Sequence, residues 1–110
     1  MLPHRNLSVA DAAEQFAAAV VRLCDRTPEL LHKQQLIKSS QSVSANIAEG
    51  FGRGTLAERN YRLAVARGEA EETIRHLRAN FAVNRIPPAE YWPLHHRAVT
   101  IVKMLNALLA

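Results

Sequence analysis

The side chains of this 110-residue chain that could do acid–base or nucleophilic chemistry are few, and their spacing suits it poorly. Cys24 is the single cysteine, and paired with His4, His32, His76, His95 or His96 it would supply a nucleophile and a base. It falls beside the apolar stripe of its own helix, where an inert, buried thiol is expected. His95 and His96 are adjacent, so on a helix they diverge by about 100° and miss the four-residue spacing of a zinc-binding pair. Glu49, Glu69 and Glu72 suggest a carboxylate-bridged metal centre, but bundles that hold one use glutamate-x-x-histidine, and Glu72-Thr73-Ile74-Arg75 has no histidine in place. Those carboxylates are expected to pair with arginines or to cap backbone groups. No enzymatic activity, metal or cofactor is implied.

Gly50-Phe51-Gly52-Arg53-Gly54 has the glycine spacing of a phosphate loop without its setting. A phosphate loop needs a preceding strand and, for nucleotides, a lysine before serine or threonine, whereas here a helix precedes and no such lysine follows. A plain helix-to-helix turn is expected, with Arg53 beside the N-terminus of the next helix as the group that could hold a phosphate of RNA or DNA.

Four amphipathic helices would position these groups. Val9, Ala13, Phe16, Val20 and Leu23 recur at three- and four-residue steps, with Ser8 as the expected cap and Asp11 in the first turn. This helix should end near Arg26, and Thr27-Pro28 should connect it to a second helix over about Glu29 to Glu49. The second helix carries Leu30, Ile37, Ser40 or Val43, and Ile47 on one face, followed by Phe51 in the turn. Ser39, Ser42, Asn46 and Glu49 form another stripe, small and hydroxyl-rich, which is expected to meet a second helix or subunit at close range. Gly50 is placed as the left-handed residue after the helix end. Thr55 and Glu58 have capping-box spacing for a third helix reaching about Asn84, with Leu63, Ala66, Ala70, Ile74, Leu77 and Phe81 on one face. Glu71 with Arg75 and Glu72 with His76 have the spacing of surface pairs. Gly68 in its interior is expected to mark a close approach by Ala45 and Ala48, so that Gly68→Leu would disrupt the packing. Ile86-Pro87-Pro88 stops it, and Tyr91, Leu94, Ala98, Ile101, Leu105 and Leu108 line the fourth helix. With no alternating strand pattern, residues 1–110 read as a single all-α domain, an antiparallel up-down-up-down four-helix bundle.

The formal charge is +4. Residues 53 to 85 carry seven arginines, among them Arg53, Arg59, Arg62, Arg67, Arg75 and Arg78, against four glutamates. Such a mixture is either a solvated face or a docking surface for nucleic acid or an acidic protein. One cysteine suits a reducing interior, and neither a signal-peptide run nor a bilayer-spanning stretch is legible, so a cytoplasmic protein with no membrane partner is expected.

Ser44-Ala45-Asn46-Ile47-Ala48-Glu49-Gly50-Phe51-Gly52-Arg53, continued by Tyr61, Leu63, Ala66, Gly68, Glu69 and Leu77, resembles a family of small four-helix bundles. Its members were first noticed as reading frames inside intervening sequences of bacterial large-subunit ribosomal RNA genes. The accessory variability determinants of diversity-generating retroelements are similar to it. The resemblance implies a homopentameric ring, and in the retroelement relatives a basic surface that engages nucleic acid and a reverse transcriptase. The expected function is therefore a non-enzymatic homo-oligomeric scaffold or adaptor. Arg53, Arg59, Arg62, Arg67, Arg75 and Arg78 would contact RNA, DNA or another protein, and Ser42, Asn46, Glu49, Gly50, Gly68 and Glu69 would serve packing and assembly. The alternative is a protein-interaction module with no affinity for nucleic acid, separated from the first by salt-dependent binding.

Overall fold

Each apolar stripe needs a partner surface, and the four helices supply one another's. The computed structural model describes residues 4–110, with side chains from residue 8 onward. It contains α1 (His4–Arg26), α2 (Lys33–Phe51), α3 (Leu56–Ala82) and α4 (Pro88–Leu109), and no strand among the described residues. α1 packs on α2, α2 on α3, α3 on α4, and α4 back on α1. Contacts run antiparallel: Asn46 reaches Arg62 while Ser39 meets Thr73, Arg67 meets Asn106 while Phe81 stacks on Tyr91, and Arg26 meets Glu90. This is an all-α four-helix bundle of 43 × 21 × 21 Å, and its 27-residue α3, about 40 Å long, spans the long dimension. No helix among the described residues is long and apolar enough to cross a membrane.

The stripes of α1 and α4 close on the core as their spacing requires. Val9, Ala13, Phe16, Val20 and Leu23 are buried, as are Tyr91, Leu94, Ala98, Ile101 and Leu105, with Leu108 half-buried at the end. α1 nevertheless begins at His4, so Ser8 lies inside the helix and does not cap it. No glycine or proline separates His4 from Ser8, and nothing there interrupts the helical ladder.

The entry to α2 departs further from the sequence expectation. The helix starts at Lys33, with left-handed His32 (φ 55°) at its cap position, so neither Thr27 nor Pro28 begins it. Leu30 turns into the core instead, and α3 satisfies the backbone of the connection: Leu31 N donates to Asn80 Oδ1 (2.7 Å), and Asn80 Nδ2 donates to Leu31 O (3.0 Å). Those bonds replace the ones that a helix over 29–32 would have made for itself. Within α2 the residues facing inward are Leu36, Ser40, Val43 and Ile47, and Ile37 is only half-buried.

Ser39 is also in the interior, 2.7 Å from Thr73 Oγ1, and Thr73 Oγ1 donates to Glu69 O at 2.8 Å. Two short hydroxyl side chains let α2 and α3 approach there while satisfying each other. Ser39→Ala alone is expected to cost about 1 kcal/mol, because Thr73 loses a partner, whereas Ser39→Ala with Thr73→Val should be nearly neutral. A urea-denaturation double-mutant cycle measures that difference, and additive losses would show that the two hydroxyls do not depend on each other.

Helix ends use different devices. Thr55 caps α3, its side chain accepting from Glu58 N at 3.2 Å. α3 closes on Asn84, left-handed at φ 61°, with Arg85 N bonded to Asn80 O and buried Ile86 following. No glycine has a positive φ. Gly50 is therefore not a left-handed end residue; it lies within α2, where an added Cβ would stand 3.2 Å from Arg59 O, Arg62 Cβ and Leu63 Cδ2. Gly68 corrects the expectation in the other sense: it is exposed, and an added Cβ would meet nothing within 4 Å. Two residues from both Ala66 and Ala70, it lies about 200° around the helix from the stripe that packs. Ala45 and Ala48 are exposed too, so the close approach belongs to Gly50 alone among these positions. Among the described residues, the expected Glu71–Arg75 and Glu72–His76 pairs do not form.

Candidate nucleic-acid interface

The turn after α2 is short because Gly52 N bonds back to Ala48 O and Glu49 O, and this brings Arg53 to the first turns of α3. There Arg53, Ala57, Glu58, Tyr61 and Arg62 line a shallow depression of about 390 Å³. Arg53 Nη2 donates to Glu49 Oε1 at 2.6 Å, with both side chains well exposed, a pair that water and salt weaken readily. Arg62 Nη1 lies 3.4 Å from Asn46 Oδ1, and its guanidinium is 5.6 Å from the centroid of the Tyr61 ring, at cation–π distance.

The six arginines do not make one patch. Arg59 is drawn inward and donates from Nη2 to Leu108 O (3.1 Å), satisfying a carbonyl at the end of α4, and Arg67 is bonded to Asn106 Oδ1 (2.9 Å). Arg75 and Arg78 are exposed further along α3, with Arg78 more than 20 Å away from Arg62 by the ~1.5 Å rise per residue. Only Arg53 and Arg62 border the depression.

The hydroxyl-rich stripe of α2 is largely consumed within the chain. Ser39 is in the core, and Asn46 Nδ2 donates to Ser42 O (2.9 Å) and Ser42 Oγ (3.0 Å) while its oxygen faces Arg62. Glu49 holds Arg53, and half-buried Glu69 contributes its carbonyl to Thr73. An open groove of about 630 Å³ between α1 and α2 is lined by Ala17, Ala18, Val21, Ser44 and Ala45, with Glu14 and Arg22 among its charged residues.

Two features were absent from the sequence-based site. Tyr61 is 64% and Leu56 66% exposed. Tyr61 is two residues from Leu63 and so lies off the packing stripe, which was the available signal. Arg59 Nε and Asn60 Oδ1 are buried without a hydrogen-bond partner in the chain, a result of atomic geometry that no spacing discloses.

Cys24 is buried, and desolvation raises its thiol above the ordinary pKa, with Lys33 opposing and Asp25 adding to the rise. His4 has its side chain outside the described residues. Among the described residues no group of three or more His, Cys, Asp or Glu could hold a metal ion.

The family model described as 23S rRNA-intervening sequence protein matches residues 5–107. A crystal structure of a protein of unknown function from Bacteroides thetaiotaomicron, assigned to the S23 ribosomal protein family, superposes with a TM-score of 0.89 at 25% sequence identity. The match covers 96% of this chain and 97% of that one. No curated protein matches the chain.

Proposed function

We propose that this chain, which belongs to the 23S rRNA-intervening sequence protein family, is a non-enzymatic cytoplasmic scaffold that assembles as a homopentamer and contacts RNA or DNA through the corner where α2 turns into α3. The observation that carries this reading is the exposed Tyr61 ring beside Arg62, with Arg53 across the same depression. An aromatic face and two guanidinium groups offer a nucleotide both stacking and phosphate contacts. Support for assembly comes from the family resemblance and from the open α1–α2 groove, whose small side chains would let another helix approach. A ring would repeat a weakly basic corner and add its field and its contacts.

Retardation of a single-stranded RNA at rising salt tests the reading. Binding should weaken steeply, and Arg53→Ala with Arg62→Ala should flatten the log–log salt slope by about one for each phosphate that is no longer neutralised. Light scattering after size exclusion reads the assembly separately. No retardation at low salt would favour the protein-interaction alternative, and a monomer would exclude the ring.

A further inference from the structure

The distribution of charge directs attention to the other end of α3. From residue 73 to residue 110 the chain carries Arg75, Arg78, Arg85, Arg97 and Lys103 against one carboxylate, Glu90, so this segment accounts for the whole formal charge of +4. Glu90 is engaged by Arg26 of α1. The far end of α3 and all of α4 are thus a basic segment of a chain whose first 72 residues carry no net formal charge.

The same segment holds a connected set of rings. Phe81 and Tyr91 stack at 4.1 Å with an interplanar angle of 4°. Trp92 stands edge to face against them at 5.7 and 5.0 Å, and against His95 at 5.4 Å. His96 lies 5.9 Å from the indole, tilted by 30°. Tyr91 is buried and hydrogen-bonded from its hydroxyl to His95 Nδ1 at 3.2 Å, so the base of the cluster is held firmly. Trp92 is nonetheless 44% exposed. Burial lowers the pKa of His95 below its ordinary value, and His96 and Arg78 add to the lowering.

An exposed aromatic ring in a segment with a surplus of positive charge selects by chemistry. A cationic ligand is repelled, a neutral apolar peptide makes no use of the surplus charge, and a ligand that is both flat and anionic satisfies both features. We infer that Trp92, braced by Phe81, Tyr91 and His95 in the basic segment of the chain, is a stacking platform for an unpaired base of a single nucleic-acid strand. The platform lies toward the opposite end of α3 from the Tyr61–Arg62 corner, and it rests on the reading that the protein binds nucleic acid.

Trp92 is the sole tryptophan, so its emission reports this place alone. Titration of the full-length protein at low salt with a 15-nucleotide oligouridylate should quench that emission, and a duplex RNA of the same length should not. Trp92→Ala should weaken oligouridylate binding by about 5- to 150-fold, and Trp92→Phe should keep most of the affinity. Retardation of the oligonucleotide with unchanged emission and unchanged Trp92→Ala affinity would overturn the platform and leave the nucleic-acid reading standing. No retardation at all would overturn both. A blue shift on raising protein concentration without oligonucleotide would place Trp92 in a contact between copies, and the same shift on anionic vesicles would place it against lipid; either result, without quenching by the oligonucleotide, overturns the platform.

Discussion

Gly50→Leu is expected to destabilise the bundle by about 3 kcal/mol and to lower Tm by roughly 10–20 °C. The first carbon of any side chain at this position already meets α3 at 3.2 Å on three sides, one of them the backbone oxygen of Arg59. A carbonyl oxygen in a helix cannot rotate away as a long side chain can, so the branched carbons of leucine would have to part the two helices. Because Arg62 Cβ and Leu63 Cδ2 are the other two contacts, the displacement would also reach the core and the Tyr61–Arg62 corner. Gly68→Leu is the matched control. It adds the same volume to an exposed position with open space around it, and should be neutral or stabilising by up to about 1 kcal/mol through helix propensity. Thermal melts of both variants decide the matter: equal losses would show that space at Gly50 is not what α2–α3 packing depends on.

Asn80→Ala should cost about 2–4 kcal/mol, a large loss for one polar residue. The side chain is fully buried and clasps both backbone groups of Leu31 across the bundle, while its amide also bonds to His76 O at 2.9 Å. Truncation removes three hydrogen bonds and leaves the Leu31 N–H and C=O in a partly buried connection that has no helix of its own to satisfy them. The loss should concentrate locally before it becomes global. Native-state hydrogen exchange is expected to show the Leu31 amide losing protection while core amides of α4 keep theirs relative to the global stability. Uniform protection loss, or an unchanged denaturation midpoint, would show that the connection is held by Leu30 burial alone.

These two residues also mark the boundary of what a linear reading discloses. α4 was legible nearly residue for residue because Pro88 gives it a definite start and its stripe has no competing face. The start of α2 was not, since Thr27-Pro28 has good local capping chemistry and the bonds that displace it come from Asn80, about fifty residues away. Among the arginines, composition disclosed the cations and spacing disclosed their helix. Only the packed structure shows that Arg59 and Arg67 are spent on α4 and that Arg53 and Arg62 share a depression with Tyr61.

By itself, then, the sequence determined the class of the protein: four periodic apolar stripes, one per helix, each too narrow to be satisfied except by the others, and a motif from Ser44 to Arg53 specific enough to place the family. Periodicity suffices for this because burial follows the 3.6-residue repeat whatever the partner is. The tertiary structure decided which glycine is a contact and which is not, where α2 begins, and which cations remain open to a ligand. Those are relations between residues far apart in the chain, and they depend on distances of a few tenths of an ångström and on hydrogen bonds that cross from one helix to the next.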